Sequence, residues 1–420
     1  MAGSLAEARA RFAARVRAAR ERLVALAVEL VRAGSENPPG DTEAVVRVIE
    51  RALAAVPGLS LRRIVARAPV VNLVARLPFA APGRRLVMSG HLDTFPVGDA
   101  SSWTVAPLGG AIIDGRLYGR GASDMKAGLA AAVLSAALLA DEGDHLAGEL
   151  VLALAGDEET GGTWGTKHLL EAAPEVIGDA MLCGDAGSPR VVRFGEKGQI
   201  WLELEAQGKA NHGAHVHLGV NAIERLLAAL GRLLELRELP CELPEPVKRA
   251  ILEAASVSEA VSGRGETETL QRVTVNIGTI EGGEAVNLIP AKARARIDIR
   301  LPPGLGTKAV ISAAETALRG HEGIELKLIS AAEPNVSDPE HEIVRLAAKS
   351  GEEVLGERVV HNMRVGFSDS RLFRERGVPS VVYGPTPHNM GGADEHVTLD
   401  DLFAVFYVHA LTAFDFLARR

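Results

Sequence analysis

Cysteine is nearly absent from this chain: Cys183 and Cys241 are the only two in 420 residues. Two cysteines cannot form a disulfide framework, and neither has zinc-knuckle spacing. Cys183 is expected in a buried strand, and the scarcity of thiols fits a reducing, cytoplasmic compartment. No stretch reaches the ~20 consecutive apolar residues that span a bilayer, so no membrane partner is expected. The segment from Ala6 to Arg22 is interrupted by arginine and glutamate, which argues against a signal peptide. Positive charge is not in excess either. The net charge is -8, with acids and bases interspersed, which favours solubility and argues against a nucleic-acid partner. There is no internal repeat and no low-complexity tract.

What is present is a large apolar fraction, 47% of the residues, enough for a substantial core. The length suits two domains, since single cores rarely grow beyond ~250–300 residues. Residues 5–33 read as one long amphipathic helix, stopped by the Gly34-to-Asp41 segment with its Pro38-Pro39 pair. After a second helix, strands and helices alternate to about residue 195, as expected for an α/β domain around a largely parallel, buried sheet. Near residue 196 the pattern changes. Residues 198–207 alternate apolar and polar, as in a sheet solvated on one face, and residues 238–268 are rich in Pro, Glu and Ser and read largely as a loop. The order β-α-β-β-α-β predicts a small α+β domain over 196–333, inserted into an α/β domain formed by 1–195 and 334–420.

The most informative stretch runs from Met88 to Pro96. An apolar strand ends there by presenting His91 and Asp93, and residues i and i+2 of an extended chain share a face. A metal-binding histidine usually has its second ring nitrogen held by an oxygen. Alone, such a pair is ordinarily no more than a strand end. Here acidic groups recur: Asp124 in a Gly-rich turn, the doublet Glu158-Glu159 after an apolar run, and Asp185 after another. Single acids in glycine-rich loops are ordinarily just solvated; four such sites at strand ends are not. That edge of an open α/β sheet is where ligands bind. Clustered carboxylates would repel one another without a cation. A pair of divalent metals is therefore expected, zinc or else cobalt or manganese, given histidine and carboxylate donors. Asp124 is suited to bridge them. Of the glutamate doublet, one can bind metal while the other handles a proton beside a metal-held hydroxide.

Three motifs, Ser89-Gly90-His91-Leu92-Asp93-Thr94, Gly119 to Gly128, and Asp157-Glu158-Glu159-Thr160-Gly161-Gly162, together resemble the dinuclear zinc metallopeptidase and amidohydrolase family of acetylornithine deacetylase, succinyl-diaminopimelate desuccinylase, aminoacylase and carboxypeptidase G. The resemblance extends over essentially the whole chain. It implies that His91 and Asp185 each serve one metal, that Asp124 bridges, that Glu159 is a ligand and that Glu158 is the general base. It implies a cis Asp124–Met125 peptide bond, and a lid and homodimer contact made by the inserted domain. His212 matches a family position that donates to the developing oxyanion. Asn287 and Arg300 resemble substrate contacts, Arg300 as a clamp on a carboxylate. One position departs from the family pattern: alignment on Asp394-Glu395 puts glycine where the last histidine ligand belongs. His388, which follows a strand end, is the favoured replacement, and His396 the alternative.

These features predict a metal-dependent hydrolase cleaving an amide bond in an N-acyl amino acid or a small peptide with a free carboxylate. An aminopeptidase or dipeptidase of the same family is the alternative. A non-hydrolytic binding protein is disfavoured, because such a protein needs neither Glu158 nor His212.

Overall fold

The computed structural model describes residues 5–419, so the outermost residues of the expected catalytic ranges lie outside the description. The chain forms two compact units. One runs to Phe194 and resumes over Ser337–Asn362 and from Ser368 onward; the other holds Gly195–Val336 and Met363–Phe367.

The core of the first unit is four parallel strands in the order Ala147–Ala155, Ala81–His91, Ala180–Cys183, Ser380–Val382. Antiparallel strands flank them: Val70–Pro78 and Ser60–Arg67 on one side, Val191–Glu196 on the other. The sheet is therefore mixed, with its parallel part at the centre. Alternate residues serve opposite faces. Val87, Val151 and Met181 join Leu169, Leu170 and Phe373 in one apolar cluster. Helices Ala127–Leu139 and Leu399–Leu417 pack on each other and on the central strands. Ala127–Leu139 is apolar all round because nearly every residue in it is buried.

The expected helix over 5–33 is two helices, Leu5–Ala18 and Arg20–Arg32, parted at Ala19 (φ -85°, ψ 6°). No proline or glycine marks the break. Each piece turns its own apolar stripe inward, Ala8, Phe12, Ala13 and Val16 in the first and Leu23, Ala27, Leu30 and Val31 in the second. Phe12 stacks on Phe414 with ring centroids 5.1 Å apart.

The second unit is built on an antiparallel sheet of four strands, ordered Thr274–Gly282, Lys292–Leu301, Gly198–Gln207, Ile324–Ala332. One face buries Ile200, Leu202, Leu204, Ile297 and Ile299 against Leu226, Leu230 and Leu233 of helix Ala222–Leu234 and Val310 of helix Thr307–Ala317. The other carries ion pairs such as Arg296 Nε–Glu203 Oε2 at 2.8 Å and Lys327 Nζ–Glu205 Oε1 at 2.8 Å. Most of the region expected to be a loop is instead helical: Glu245–Ser262 and Glu266–Gln271. The buried positions of the longer helix, Val247, Ala250, Ile251, Ala254 and Ser258, do have helical spacing. Alanine and serine supply much of that stripe, so it is faint to any reading that looks for large apolar side chains.

The C-terminal end of strand Ala180–Cys183 meets helix Ala127–Leu139 in a contact without side chains. Gly128, in the first turn of Ala127–Leu139, faces Gly184 at the end of strand Ala180–Cys183; a Cβ on Gly128 would lie 2.2 Å from Gly184 O. Gly128→Ala is expected to destabilise the fold by about 1–3 kcal/mol, as overpacking against backbone does. Urea unfolding measures it, and a wild-type midpoint would show that helix and strand can move apart freely.

Candidate active site

The strand register explains why the acidic and imidazole groups meet. His91 is paired with Ala155, and Ser89 with Cys183. Asp185 follows Cys183 by two residues, as His91 follows Ser89, and the turn bearing Glu158 and Glu159 comes shortly after Ala155. All lie at the C-terminal edge of the parallel strands, where chain ends leave a crevice.

His91 is 3% exposed and Asp93 1%. His91 Nε2 lies 3.0 Å from Asp124 Oδ1, and Nδ1 lies 2.9 Å from the backbone oxygen of Asp93. His91 Nδ1 is also 3.6 Å from Asp93 Oδ1. The Nδ1 proton is thus directed to oxygen and Nε2 is aimed at the cluster. Burial alone would lower the His91 pKa, yet the carboxylates of Asp124 and Asp93 bring it well above the ordinary histidine value. Asp93 does more than orient the imidazole: its Oδ1 accepts from Glu158 N–H at 3.1 Å and its Oδ2 from Glu159 N–H at 3.2 Å. Burial alone would raise its pKa; the contact with His91, then the Asn37 side chain and the Glu159 amide, hold it below the ordinary value instead.

Glu158 and Glu159 are half-buried among like charges. Loss of solvent, and then the charges of Asp369, Asp185 and Asp124, push the Glu158 carboxyl well above its usual range, against the pull of His91. For Glu159, burial and the charges of Asp124, Asp93 and Asp185 raise the pKa to about 8, again opposed by His91. Its Oε1 is buried with no hydrogen-bond partner. Nitrogen and oxygen atoms of His91, Asp124 and Glu159 all lie within 4.8 Å of one another. A carboxylate oxygen left without a donor beside an imidazole nitrogen and a second carboxylate fits a divalent cation, and the absence of sulfur fits zinc, cobalt or manganese.

Asp124 itself is held by two residues whose role the sequence did not reveal. Glu395, 1% exposed, accepts from the backbone N–H groups of Gly121 (3.2 Å), Ser123 (3.1 Å) and Asp124 (3.2 Å) and from Ser123 Oγ (3.0 Å). Its partner is the equally buried Arg120, whose Nη1 lies 2.6 Å away. The Asp124–Met125 peptide bond within this turn is cis. The signal that could have found the pair is an arginine placed between glycines and an acid in the Asp394-Glu395 doublet, both unusual choices for buried positions. Asp369 is a third addition: it accepts from Thr166 Oγ1 at 2.6 Å, and its charge acts on Glu158.

His388 is not among the donors of His91, Asp124 and Glu159 that converge within 4.8 Å. Its ring stacks on His396, with centroids 4.7 Å apart and planes 3° apart, and burial followed by the His396 charge lowers its pKa. His396 in turn lies 4.7 Å from the Tyr118 ring, and its Nδ1 is 2.9 Å from Asp394 O. In the second unit, Asn211–His212 pairs with Leu288–Ile289, and Gly213 N–H donates to Asn287 O at 2.6 Å, so His212 and Asn287 sit side by side. His212 is exposed, and its Nδ1 accepts from Ala214 N–H at 3.2 Å. Arg300 Nε donates to Asp298 Oδ1 at 2.9 Å, and its guanidinium lies 5.2 Å from the Phe367 ring centroid.

Glu395→Ala leaves Arg120 as a buried, unpaired charge and frees three backbone donors. It is expected to cost about 3–5 kcal/mol, the usual penalty for breaking a buried pair. Glu395→Gln, which keeps an acceptor, is expected to cost less; equal unfolding midpoints for wild type and the alanine variant would show that the turn holds itself.

Comparison with known proteins identifies the family of the chain. The model for peptidase family M20/M25/M40 matches residues 87–415. The succinyl-diaminopimelate desuccinylase of Rhodospirillum centenum is 31% identical over 398 residues, covering 92% of this chain and 95% of that protein. Among solved structures, an M20 family metallo-carboxypeptidase from Sulfolobus solfataricus superposes with a TM-score of 0.77 at 20% identity, covering 93% of this chain and 98% of the other. A dinuclear metal-binding peptidase of the M20 family from Bacillus subtilis does so with a TM-score of 0.65 at 16% identity, covering 96% and 99%. The chain belongs to peptidase family M20/M25/M40.

Proposed function

We propose that this protein is a metal-dependent hydrolase of the amide bond in an N-acyl amino acid, or in a small peptide with a free carboxylate. The observation that carries the reading is the juxtaposition of an unsatisfied Glu159 oxygen with His91 and Asp124, beside a second carboxyl, Glu158, whose environment favours holding a proton. The choice of an N-acyl substrate is supported by the desuccinylase relatives.

In this reading His91, Asp124, Glu159 and Asp185 would hold two divalent metals, zinc first among the candidates, with Asp124 as the shared ligand. His388 is the proposed last ligand and His396 the alternative. Bound there, the metals would polarise the scissile carbonyl and acidify the attacking water. Asp93 holds the His91 ring and the Glu158-Glu159 turn in place. Glu158 takes the proton of the attacking water and returns it to the leaving nitrogen, the role of a carboxyl whose pKa is raised by burial and neighbouring acids. His212 is assigned to the oxyanion: with Nδ1 accepting from Ala214 N–H, its proton is on Nε2 and ready to donate. Arg300 and Asn287 are assigned to the substrate, Arg300 to its carboxylate. A homodimer through the second unit and a cytoplasmic location belong to the same proposal. The location is supported by two free cysteines, of which Cys183 is buried with its pKa raised to about 12.

The direct test is release of primary amine from a panel of N-acyl amino acids and dipeptides, using chelated protein before and after addition of zinc, cobalt or manganese. Metal-restored release is expected from the N-acyl group; release from dipeptides alone would move the assignment to a dipeptidase, and none from folded protein would remove the hydrolase reading. Glu158→Ala should retain metal and fold yet lose turnover by several orders of magnitude, so near-normal rates in that variant would discard the proton-transfer role. For the last ligand, His388→Ala should lower bound metal by elemental analysis while His396→Ala should not, and the reverse result transfers the role to His396.

A further inference from the structure

The loop after helix Arg20–Arg32 reaches the active site through a single side chain. Residues 34–37 run beside the segment that follows strand Ala81–His91: Thr94 N–H donates to Ser35 O at 3.0 Å, and Asn37 N–H donates to Thr94 O at 2.8 Å. With its backbone fixed this way, Asn37 turns inward and is 6% exposed. Its Nδ2 lies 2.8 Å from Asp93 Oδ2, 3.1 Å from Thr160 Oγ1 and 3.3 Å from Asp157 Oδ1. Two N–H bonds therefore serve three oxygens. The Thr160 hydroxyl passes its own proton on to Asp157 Oδ1. The acceptors decide which way the amide faces, because its oxygen would be repelled by both carboxylates.

Both carboxylates that Asn37 touches anchor the turn bearing Glu158 and Glu159. Asp93 receives the N–H groups of those two glutamates. Asp157 receives Trp164 N–H on Oδ2 at 2.8 Å, and its backbone oxygen receives Gly162 N–H at 2.6 Å. One neutral donor thus ties the two ends of the turn together and offsets the repulsion between two buried anions without adding a charge to a crowded site. Asn37 is 2.8 Å from the residue that orients His91 and reaches none of the groups assigned to the reaction.

We propose that Asn37 is a positioning residue, which through Asp93 and Asp157 sets the direction of His91 and of the Glu158-Glu159 turn; the inference rests on the hydrolase reading above for its catalytic consequence but not for its effect on metal binding. Outer-shell partners of this kind typically change metal affinity or activity by about tenfold to a hundredfold. A merely structural loop anchor would alter unfolding and leave the folded protein's metal affinity alone.

The test compares Asn37→Ala and Asn37→Asp with wild type. Aspartate keeps the volume but turns a donor into a third acceptor facing two carboxylates, so it serves even where alanine loosens the loop. Zinc affinity is measured by competition with a chromophoric chelator, and kcat and KM on the substrate found in the amine-release panel. Alanine is expected to weaken zinc binding about tenfold or more and to lower kcat by a similar factor, with KM within about threefold. Aspartate is expected to be worse than alanine in both. Wild-type zinc affinity in both folded variants, an aspartate variant matching wild type, or an effect confined to KM would overturn the proposal. Failure of both metal-free variants to unfold cooperatively would make Asn37 a folding residue and overturn it too. If wild type hydrolyses nothing in the panel, the hydrolase reading fails while the zinc titration still decides the role of Asn37.

Discussion

Negative charges crowded into one buried crevice are the constraint on which this structure turns. Asp93, Asp124, Glu158, Glu159, Asp185 and Asp369 all act electrically on the same few ångströms. Left alone, such a group would take up protons or push the strand ends apart. Much of the surrounding architecture consists of donors that prevent this: the Glu158 and Glu159 amides on Asp93, the Asn37 amide, the Thr166 hydroxyl on Asp369, and the His91 ring between Asp93 and Asp124. Each of these donors has been spent on one carboxylate or another. Among the buried carboxylate oxygens of the described residues, Glu159 Oε1 is left without a donor.

The parallel strands supply the geometry that makes the crowding possible. Adjacent parallel strands end at the same edge, so residues distant in the chain come together without any special loop. That is why the strand-end residues could be read from the sequence. An apolar run followed by a short acidic segment says both where a strand stops and which edge its next residues occupy. The antiparallel alternation of residues 198–207 was legible for a similar reason, since a period of two survives whatever the strand pairs with.

What stayed hidden is what depends on distance along the chain or on small side chains. Arg120 and Glu395 are 275 positions apart, and nothing local in either announces the other. Asn37 sits in a stretch whose prolines and glycines describe a loop; its side chain matters only because Thr94 fixes the backbone beneath it. Helix Glu245–Ser262 buries alanine and serine along much of its stripe, and the break at Ala19 has no residue type to mark it. At the site itself a strand end points to His388, and its ring stacks on that of His396, the alternative, which opens strand His396–Thr398.

The glycine contact beneath the site has a consequence for how such a centre can diverge. Gly128 follows the Asp124 turn by a few residues, and Gly184 directly precedes Asp185, so the two carboxylates hang from backbones that touch. Side chains in a core can be exchanged for others of slightly different size, and the elements they separate drift accordingly. Two backbones in contact have no such adjustable spacer. The gap between Asp124 and Asp185 is thereby taken out of reach of gradual repacking: neighbouring side chains and the surface can change, while the spacing of these two acids behaves as a fixed ruler, altered only by a rearrangement large enough to move a whole helix.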